Sequence, residues 1–529
     1  MIPRWLWPGL TAAMVLTAIA LAAVGALWLN APAQHWRLWW SDSYLWHVLR
    51  FTFWQALLSA LLSVMPALLL ARALFRRRFP GRLLLLRFCA MTLVLPVLVA
   101  VFGILSVYGR QGWLAQLCGW VQIPYGFSPY GLQGILLAHV FFNLPLATRL
   151  LLQALDSIPV EQRQLAAQLD MSGWALFRIV EWPYLRRQLL PASALIFMLC
   201  FASFATVLSL GGGPRATTIE LAIYQALSYD YDPARAAILA LVQMVCCLGL
   251  VLLSQRLTRT FQVGATQLTH WRNPQDSRWH RVIDAVIIFL ALLLLIPPLL
   301  AVITGGINPG LFRVVSQGAL WSALLTSLQI AIGAGLLCVV LTLMLLWSTR
   351  ELRLRHREWA AQLLDLSGML ILAMPGIVLA TGFFLIANNT VGLPRSPYAV
   401  VILTNALMAI PYALKILETP MLDLAERYNR LCLSLDIHGL SRLRWVEWRA
   451  LRLSIGRAMA FASVLSVGDF GVVALFGNEH FRTLPWYLYQ QIGAYHSQDG
   501  AVTALFLLIL CFLLFTFIEK LSGLHDKTD

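Results

Sequence analysis

Twelve apolar runs of about 20 residues, divided by short polar or basic segments, constrain this chain more than any other feature. Backbone surrounded by hydrocarbon must satisfy its own N–H and C=O groups, so such runs fold as helices. About 20 residues rising 1.5 Å each cross a hydrocarbon core about 30 Å thick. The runs cover 8–29, 46–74, 83–108, 131–155, 190–210 and 234–254, then 282–303, 320–347, 362–387, 398–419, 455–476 and 501–519. Ala31-Pro-Ala33 superficially looks like a signal-peptidase site, but the run before it is longer than a usual signal core and reads as an uncleaved first span. Prolines 66, 96, 145, 375 and 411 fall within runs, either as kinks whose freed carbonyls neighbouring helices satisfy or as hinges. With 60% apolar and 12% charged residues, the chain is a polytopic membrane protein, all-α, in contact with a lipid bilayer.

A net charge of +15 raises the question of nucleic acid. The placement of the charges answers it: Lys and Arg lie in short blocks between the runs, mostly on one side, which is the pattern that orients a chain against the cytoplasmic leaflet. Arg76 to Arg78, a basic linker, Arg350, Arg353, Arg355, Arg357 and Lys520 then face the cytoplasm, with both termini. The expectation is twelve transmembrane helices as two parallel six-helix repeats. The first unit covers 1–261 (core about 46–255), the linker 262–281, and the second unit 282–529 (core about 320–519). The eight cysteines show no CxxC spacing and the ten histidines no HxxxH pair, so neither disulfide nor metal site follows. No GxxxxGK[ST] phosphate loop and no catalytic constellation is present, which points to a non-catalytic chain without a cofactor.

One polar segment comes twice. Shifting the chain by 266 positions lays LAAQLDMSGWALFRIVEWPYLR (165–186) on LCLSLDIHGLSRLRWVEWRALR (431–452) without a gap, with ten of 22 positions identical. Such an internal repeat at matching places in two apolar halves implies two equivalent docking events. The spacing predicts a short helix capped by Ser157 or Asp156, with Leu165 and Leu169 on one face. A break follows at Ser172-Gly173, then a second limb from Trp174 that stops at Pro183. The bland alternative is an amphipathic connector lying on the membrane.

At these residues the chain resembles the permeases of binding-protein-dependent ABC importers, whose signature is EAA, three residues, Gly, and about nine residues later a hydrophobic-x-Leu-Pro ending. Gln164-Leu165-Ala166 takes the EAA place, Asp170 the Gly place and Glu181-Trp182-Pro183 the ending; the second copy has Arg430-Leu431-Cys432, Asp436 and Glu447-Trp448-Arg449. The resemblance implies ATPase-coupling loops at Leu165, Ala166, Leu169, Asp170 and Gly173 and at Leu431, Cys432, Leu435, Asp436 and Gly439. It also implies the type I importer permease fold, two ATP-binding subunits on the cytoplasmic side and a periplasmic substrate-binding protein. Two fused permease units are a pattern of the ferric-iron and thiamine importers, and LSVGDFGVVALFGN and FRTLPWYLYQQIGAYHSQDGAVTAL are similar to the thiamine group. That likeness implies import of thiamine and its phosphate esters.

A ferric-iron importer permease is the alternative within this class. An ion-coupled secondary transporter is the alternative outside it, and needs intramembrane acids. Asp469, in Ser466-Val-Gly-Asp-Phe-Gly471, is the deepest; Asp284, Asp365 and Glu418 lie nearer span ends. Asp469 reads either as a pathway residue suited to an organic cation, near rings such as Phe204 and Phe470, or as a cap on a broken helix. Its repeat counterpart is Ser203.

Overall fold

A computed structural model describes residues 4–31, 42–92, 95–257, 277–390, 397–437, 439–478, 481–494 and 496–521. Most of the basic linker and His438 lie outside these residues, which contain helices and no strand. In chain order the helices are α1 (Trp7–Leu29), α2 (Ser43–Arg76), α3 (Arg82–Met91), α4 (Val97–Tyr108), α5 (Trp113–Trp120) and α6 (Leu132–Asp156). Next come α7 (Val160–Gln168), α8 (Gly173–Leu176), α9 (Trp182–Phe201), α10 (Phe204–Leu210), α11 (Ile219–Ser228) and α12 (Pro233–Leu257). The second part has α13 (Arg278–Gly306), α14 (Leu311–Ser316), α15 (Gly318–Leu354), α16 (Glu358–Met369), α17 (Gly376–Thr390) and α18 (Tyr398–Ser434). It ends with α19 (Gly439–Arg442), α20 (Trp448–Gly468), α21 (Gly471–Phe476), α22 (Leu484–Gly493) and α23 (Ser497–Leu521).

Among the described residues, ten helices are long and apolar enough to cross a membrane, or eleven if the bent pair ending in α9 and α10 is one span. The run at 362–387 is missing from that number because it is interrupted: α16 ends, Met374 adopts φ −115° and ψ 100°, and α17 starts after Pro375. A proline disfavours helical geometry in the residue before it, which accounts for the extended Met374. The corresponding run in the first repeat is broken as well, between α3 and α4 at Pro96. Pro66, Pro145 and Pro411 instead lie inside continuous helices.

The chain divides into two compact units that cut across the sequence repeats. One comprises Met1–Asp42, Ala222–Cys247 and Gly306–Asp529; the other comprises Ser43–Leu221 and Leu248–Gly305. In the first of these, α15, α18 and α20 pack on one another and α1 lies against α15 and α17. Ala12, Leu16, Ala20 and Ala23 of α1 join Ala334, Cys338, Leu345 and Leu379 in one buried cluster. A Cβ on Gly382 would lie 2.8 Å from that of Ala23, so the α1–α17 approach requires a glycine. In the other unit α2, α6 and α9 form the core, and α13 is held by Arg77 Nε donating to Asp284 Oδ2 at 2.7 Å. Gly103 of α4 lets α13 approach in the same manner, since a Cβ there would meet the Pro298 carbonyl oxygen at 2.3 Å. The first helix of each repeat therefore belongs to the compact unit built mainly from the other repeat.

Each unit also contains a helix broken at the repeat-matched positions Ser203 and Asp469. α9 and α10 meet at a 55° bend across Ala202 and Ser203, and α20 gives way to α21 across Asp469 and Phe470. A break in apolar surroundings frees carbonyls that need donors. Gln55 Nε2 donates to the Cys200 carbonyl at 2.8 Å, and Asn405 Nδ2 to Ser466 Oγ at 2.9 Å and its carbonyl at 3.5 Å. The helices that follow start alike: Ile219 N donates to Thr52 Oγ1 at 3.1 Å, and Leu484 N to Ser327 Oγ at 2.8 Å.

Candidate functional site

The two repeated loops share one backbone solution. In the first, α7 ends at Gln168, Asp170 takes φ 55°, Asp170 N donates to the Ala167 carbonyl at 3.1 Å and Met171 N to the Ala166 carbonyl at 2.9 Å. In the second, α18 continues from the span straight into the loop and ends at Ser434. Asp436 takes φ 53°, with Asp436 N donating to Leu433 at 3.4 Å and Ile437 N to Cys432 at 2.9 Å. Crossed bonds of this kind around one left-handed residue make a Schellman ending, whose left-handed position favours glycine and tolerates Asp or Asn. Asp at the Gly place of the signature therefore keeps the geometry. The first helix ends before the expected break at Ser172-Gly173, although Gly173 is also left-handed at φ 53°.

Two further expectations need correction. Neither Ser157 nor Asp156 caps α7: Ser157 Oγ donates back to the Ala154 carbonyl at 2.7 Å, and α7 starts after Pro159 without a side-chain cap. Nor does the second limb stop at Pro183. α8 runs through one π-helical turn, Phe177–Glu181, into α9, and Pro183 directly follows that turn, where the α-helical hydrogen-bond ladder is already interrupted. The second loop repeats this as α19, a π turn at Leu443–Glu447, and α20. Arg449 has an N–H, so the proline is not what causes the turn.

The coupling residues separate by direction. Leu165 and Leu169 are 56% and 60% exposed, and Leu431 and Leu435 are 50% and 59% exposed. Ala166 and Cys432, the positions between them, are buried. Gly439 opens α19. Beyond the signature, Trp174 and Ile179 in one loop and Trp445 in the other are also exposed, so each loop offers a wider apolar surface than its leucine pair. Ile179 and Trp445 occupy the same repeat position, a signal visible in sequence only once the alignment of the copies is read for side-chain size. On the flank of the first loop, Arg163 Nη2 donates to the Ile158 carbonyl at 2.9 Å, and its guanidinium lies 5.1 Å from the centre of the Phe75 ring. Burial pulls that guanidinium below its ordinary pKa, while Asp156 and Glu161 draw it back up.

The sequence motifs assign no role to the repeated glutamates. Glu181 accepts from Arg72 Nε at 2.7 Å and Arg76 Nη2 at 3.4 Å, both at the end of α2. Glu447 accepts from Arg350 Nη1 at 2.6 Å, near the end of α15, and from Arg442 Nε at 2.7 Å.

Among the four intramembrane acids, three are engaged in ion pairs with arginine. Asp284 pairs with Arg77, and Asp365 and Glu418 both pair with Arg353 at 2.7 Å. Asp469 differs. Its carboxylate takes hydrogen bonds from the amides of Gly471 and Val472, the capping role, while Oδ2 is closed off and has no hydrogen-bond partner among the described residues. The adjacent Phe470 ring packs on Trp486 and Tyr489, with centroids 5.9 and 5.0 Å away. Phe204, the other expected ring, belongs to the other compact unit. Among the described residues, no group of three or more His, Cys, Asp or Glu could hold a metal ion.

Apolar helices in a two-fold repeat, each repeat carrying an exposed helix–bend–helix loop on a buried ionic base, make up a multi-pass membrane protein. Residues 63–262 match the family described as binding-protein-dependent transport system inner membrane component. Over 529 residues the chain is 71% identical to the thiamine transport system permease protein ThiP of Escherichia coli (strain K12), covering 100% of this chain and 99% of that one. The protein of the same name from Haemophilus influenzae is 42% identical over 505 residues (95% and 94% covered), and that from Brucella abortus (strain 2308) 44% over 485 residues (91% and 89%). The chain belongs to the family of binding-protein-dependent transport permeases, and is a multi-pass inner-membrane protein.

Proposed function

We propose that this chain carries thiamine and its phosphate esters from periplasm to cytoplasm, with two separate ATP-binding subunits supplying hydrolysis and a periplasmic binding protein delivering the substrate. The observation that carries this reading is the 71% identity over the whole chain to a thiamine transport permease. Two like loops support two ATP-binding subunits, one per loop, on the side that the basic blocks assign to the cytoplasm together with both termini. The permease units are the repeats 1–261 and 282–529, joined by the linker 262–281. Uptake of radiolabelled thiamine by a thiamine-auxotrophic deletion strain carrying this chain and its partners tests the reading; uptake of ferric iron without thiamine would replace it.

In this function Leu165, Leu169, Leu431 and Leu435 enter grooves of the ATP-binding subunits, while Asp170, Gly173, Asp436 and Gly439 shape the bends and Ala166 and Cys432 seat the loops. An acid in such a groove leaves an unpaired, desolvated carboxylate at a cost of several kcal/mol. Leu165→Asp combined with Leu431→Asp should abolish copurification of the ATP-binding subunit, and wild-type recovery would remove these residues from the interface. Asp469 supplies a counter-charge to the cationic thiazolium. A charge at mid-membrane costs about 2.5–3.5 kcal/mol on insertion scales, and a passing cation offsets that cost. Asp469→Asn keeps the capping hydrogen bonds and is expected to lower thiamine uptake about tenfold with the complex intact. Unchanged uptake over a range of thiamine concentrations would leave Asp469 a cap alone.

A further inference from the structure

The repeated glutamates lie where a docking loop must hand its movement to the membrane spans. Glu181 closes the π turn that joins the first loop to α9, and its carboxylate is bound by two arginines on the last turns of α2. Glu447 closes the corresponding turn before α20 and is bound by Arg350 on α15 and Arg442 on α19. Glu181 thus ties its turn to α2 through two arginines and Glu447 ties its turn to α15 through Arg350, with Arg442 added from the adjoining α19, at a point where the π turn interrupts the regular helical hydrogen-bond ladder. Both carboxylates are sealed, with side-chain exposures of 4% and 1%. A sealed ion pair with several donors tolerates little displacement, since losing a partner leaves an uncompensated buried charge.

The joints differ in build. Around Glu181 the arginines are 19% and 18% exposed and outnumber the acid. A guanidinium stacks on a ring in both joints, Arg72 at 4.1 Å from the Phe177 ring and Arg350 at 4.1 Å from the Trp347 ring, but around Glu447 Arg350 is 1% exposed and Glu351 lies 3.8 Å from Arg350 and 3.7 Å from Arg442, giving two acids to two arginines. We propose that Glu181 and Glu447 are positioning residues that lock each docking loop to its spans, so that movement of the ATP-binding subunits becomes movement of the pathway, and that the Glu447 joint is the stiffer of the two.

This inference rests on the ATP-driven reading above. The test uses the full chain with its ATP-binding subunits and binding protein in proteoliposomes, measuring imported radiolabelled thiamine per ATP hydrolysed beside basal hydrolysis and subunit copurification. Glu181→Gln and Glu447→Gln are expected to retain the ATP-binding subunits and basal hydrolysis, yet to lower thiamine per ATP about fivefold and about tenfold or more respectively. Glu181→Asp separates charge from packing: the shorter acid should keep more coupling than the isosteric amide, whereas a side chain that only fills space would show the reverse order. If Glu447→Gln reduces the amount of chain in the membrane, the Glu181 pair decides. Wild-type thiamine per ATP in Glu181→Gln, or a loss matched by loss of subunit copurification, overturns the proposal. A wild-type chain that binds no ATP-binding subunit overturns the ATP-driven reading itself.

Discussion

Asp170 and Asp436 hold the same left-handed position in the two loops, with φ of 55° and 53°. A side chain branched at Cβ is strained in that geometry by about 1–2 kcal/mol, while glycine relieves the strain altogether. Asp170→Gly should therefore retain ATP-binding-subunit copurification, and Asp170→Val should lower it or lower the detergent melting temperature by several degrees; equal behaviour of the two would mean the bend is not set at this residue. The Asp pairing is legible in the sequence, because the alignment of the copies places both at the Gly of the signature and Asp tolerates left-handed backbone. Direction is not legible there. Leu165 and Ala166 are neighbours in one motif, yet one points outward and the other is buried, because α7 presents only one side to the protein.

At the scale of elements, the π turns at Phe177–Glu181 and Leu443–Glu447 carry the chain from loop to span without stopping. Proline at 183 reads as a stop because proline inside a helix loses a hydrogen bond, but it directly follows the π turn, where the regular ladder is already interrupted. It follows that Pro183→Arg, which copies the second loop, should leave thiamine uptake within about twofold of wild type, and a larger loss would show that the ring itself shapes the turn. The reverse holds for the run at 362–387, which reads as one span and is interrupted at Pro375. Hydropathy reports apolar length and is blind to whether the residue before a proline has left helical geometry, as Met374 has.

For the whole molecule, the exchange of α1 and α13 between repeats has a direct consequence. Each compact unit needs a helix from the other half of the sequence: α1 contributes Leu16 and Ala20 to the core around Leu345, and α13 supplies the Asp284 that pairs with Arg77. Residues 1–261 and 282–529 produced as separate chains should therefore accumulate and copurify when made together, and either alone should be degraded, which a tag on one half and pulse-chase labelling would reveal. Stable accumulation of a lone half would mean that the exchanged helix is dispensable. Filling the close approaches should weaken the same packing: Gly382→Val or Gly103→Val brings side-chain carbon into Ala23 or the Pro298 carbonyl, for an expected loss of about 1–3 kcal/mol, read as a lower melting temperature. The apolar runs, the two-fold repeat and the two polar loops were determined by the sequence itself, because hydrocarbon thickness sets segment length and duplication leaves identities at a constant offset. Which helix packs with which repeat, and the pairing of Glu181 and Glu447 with arginines about 100 residues away, were decided by tertiary structure alone. Helix periodicity describes one element at a time, whereas partner choice depends on the close fit of small residues such as Gly382 and on charges that only folding brings within 3 Å.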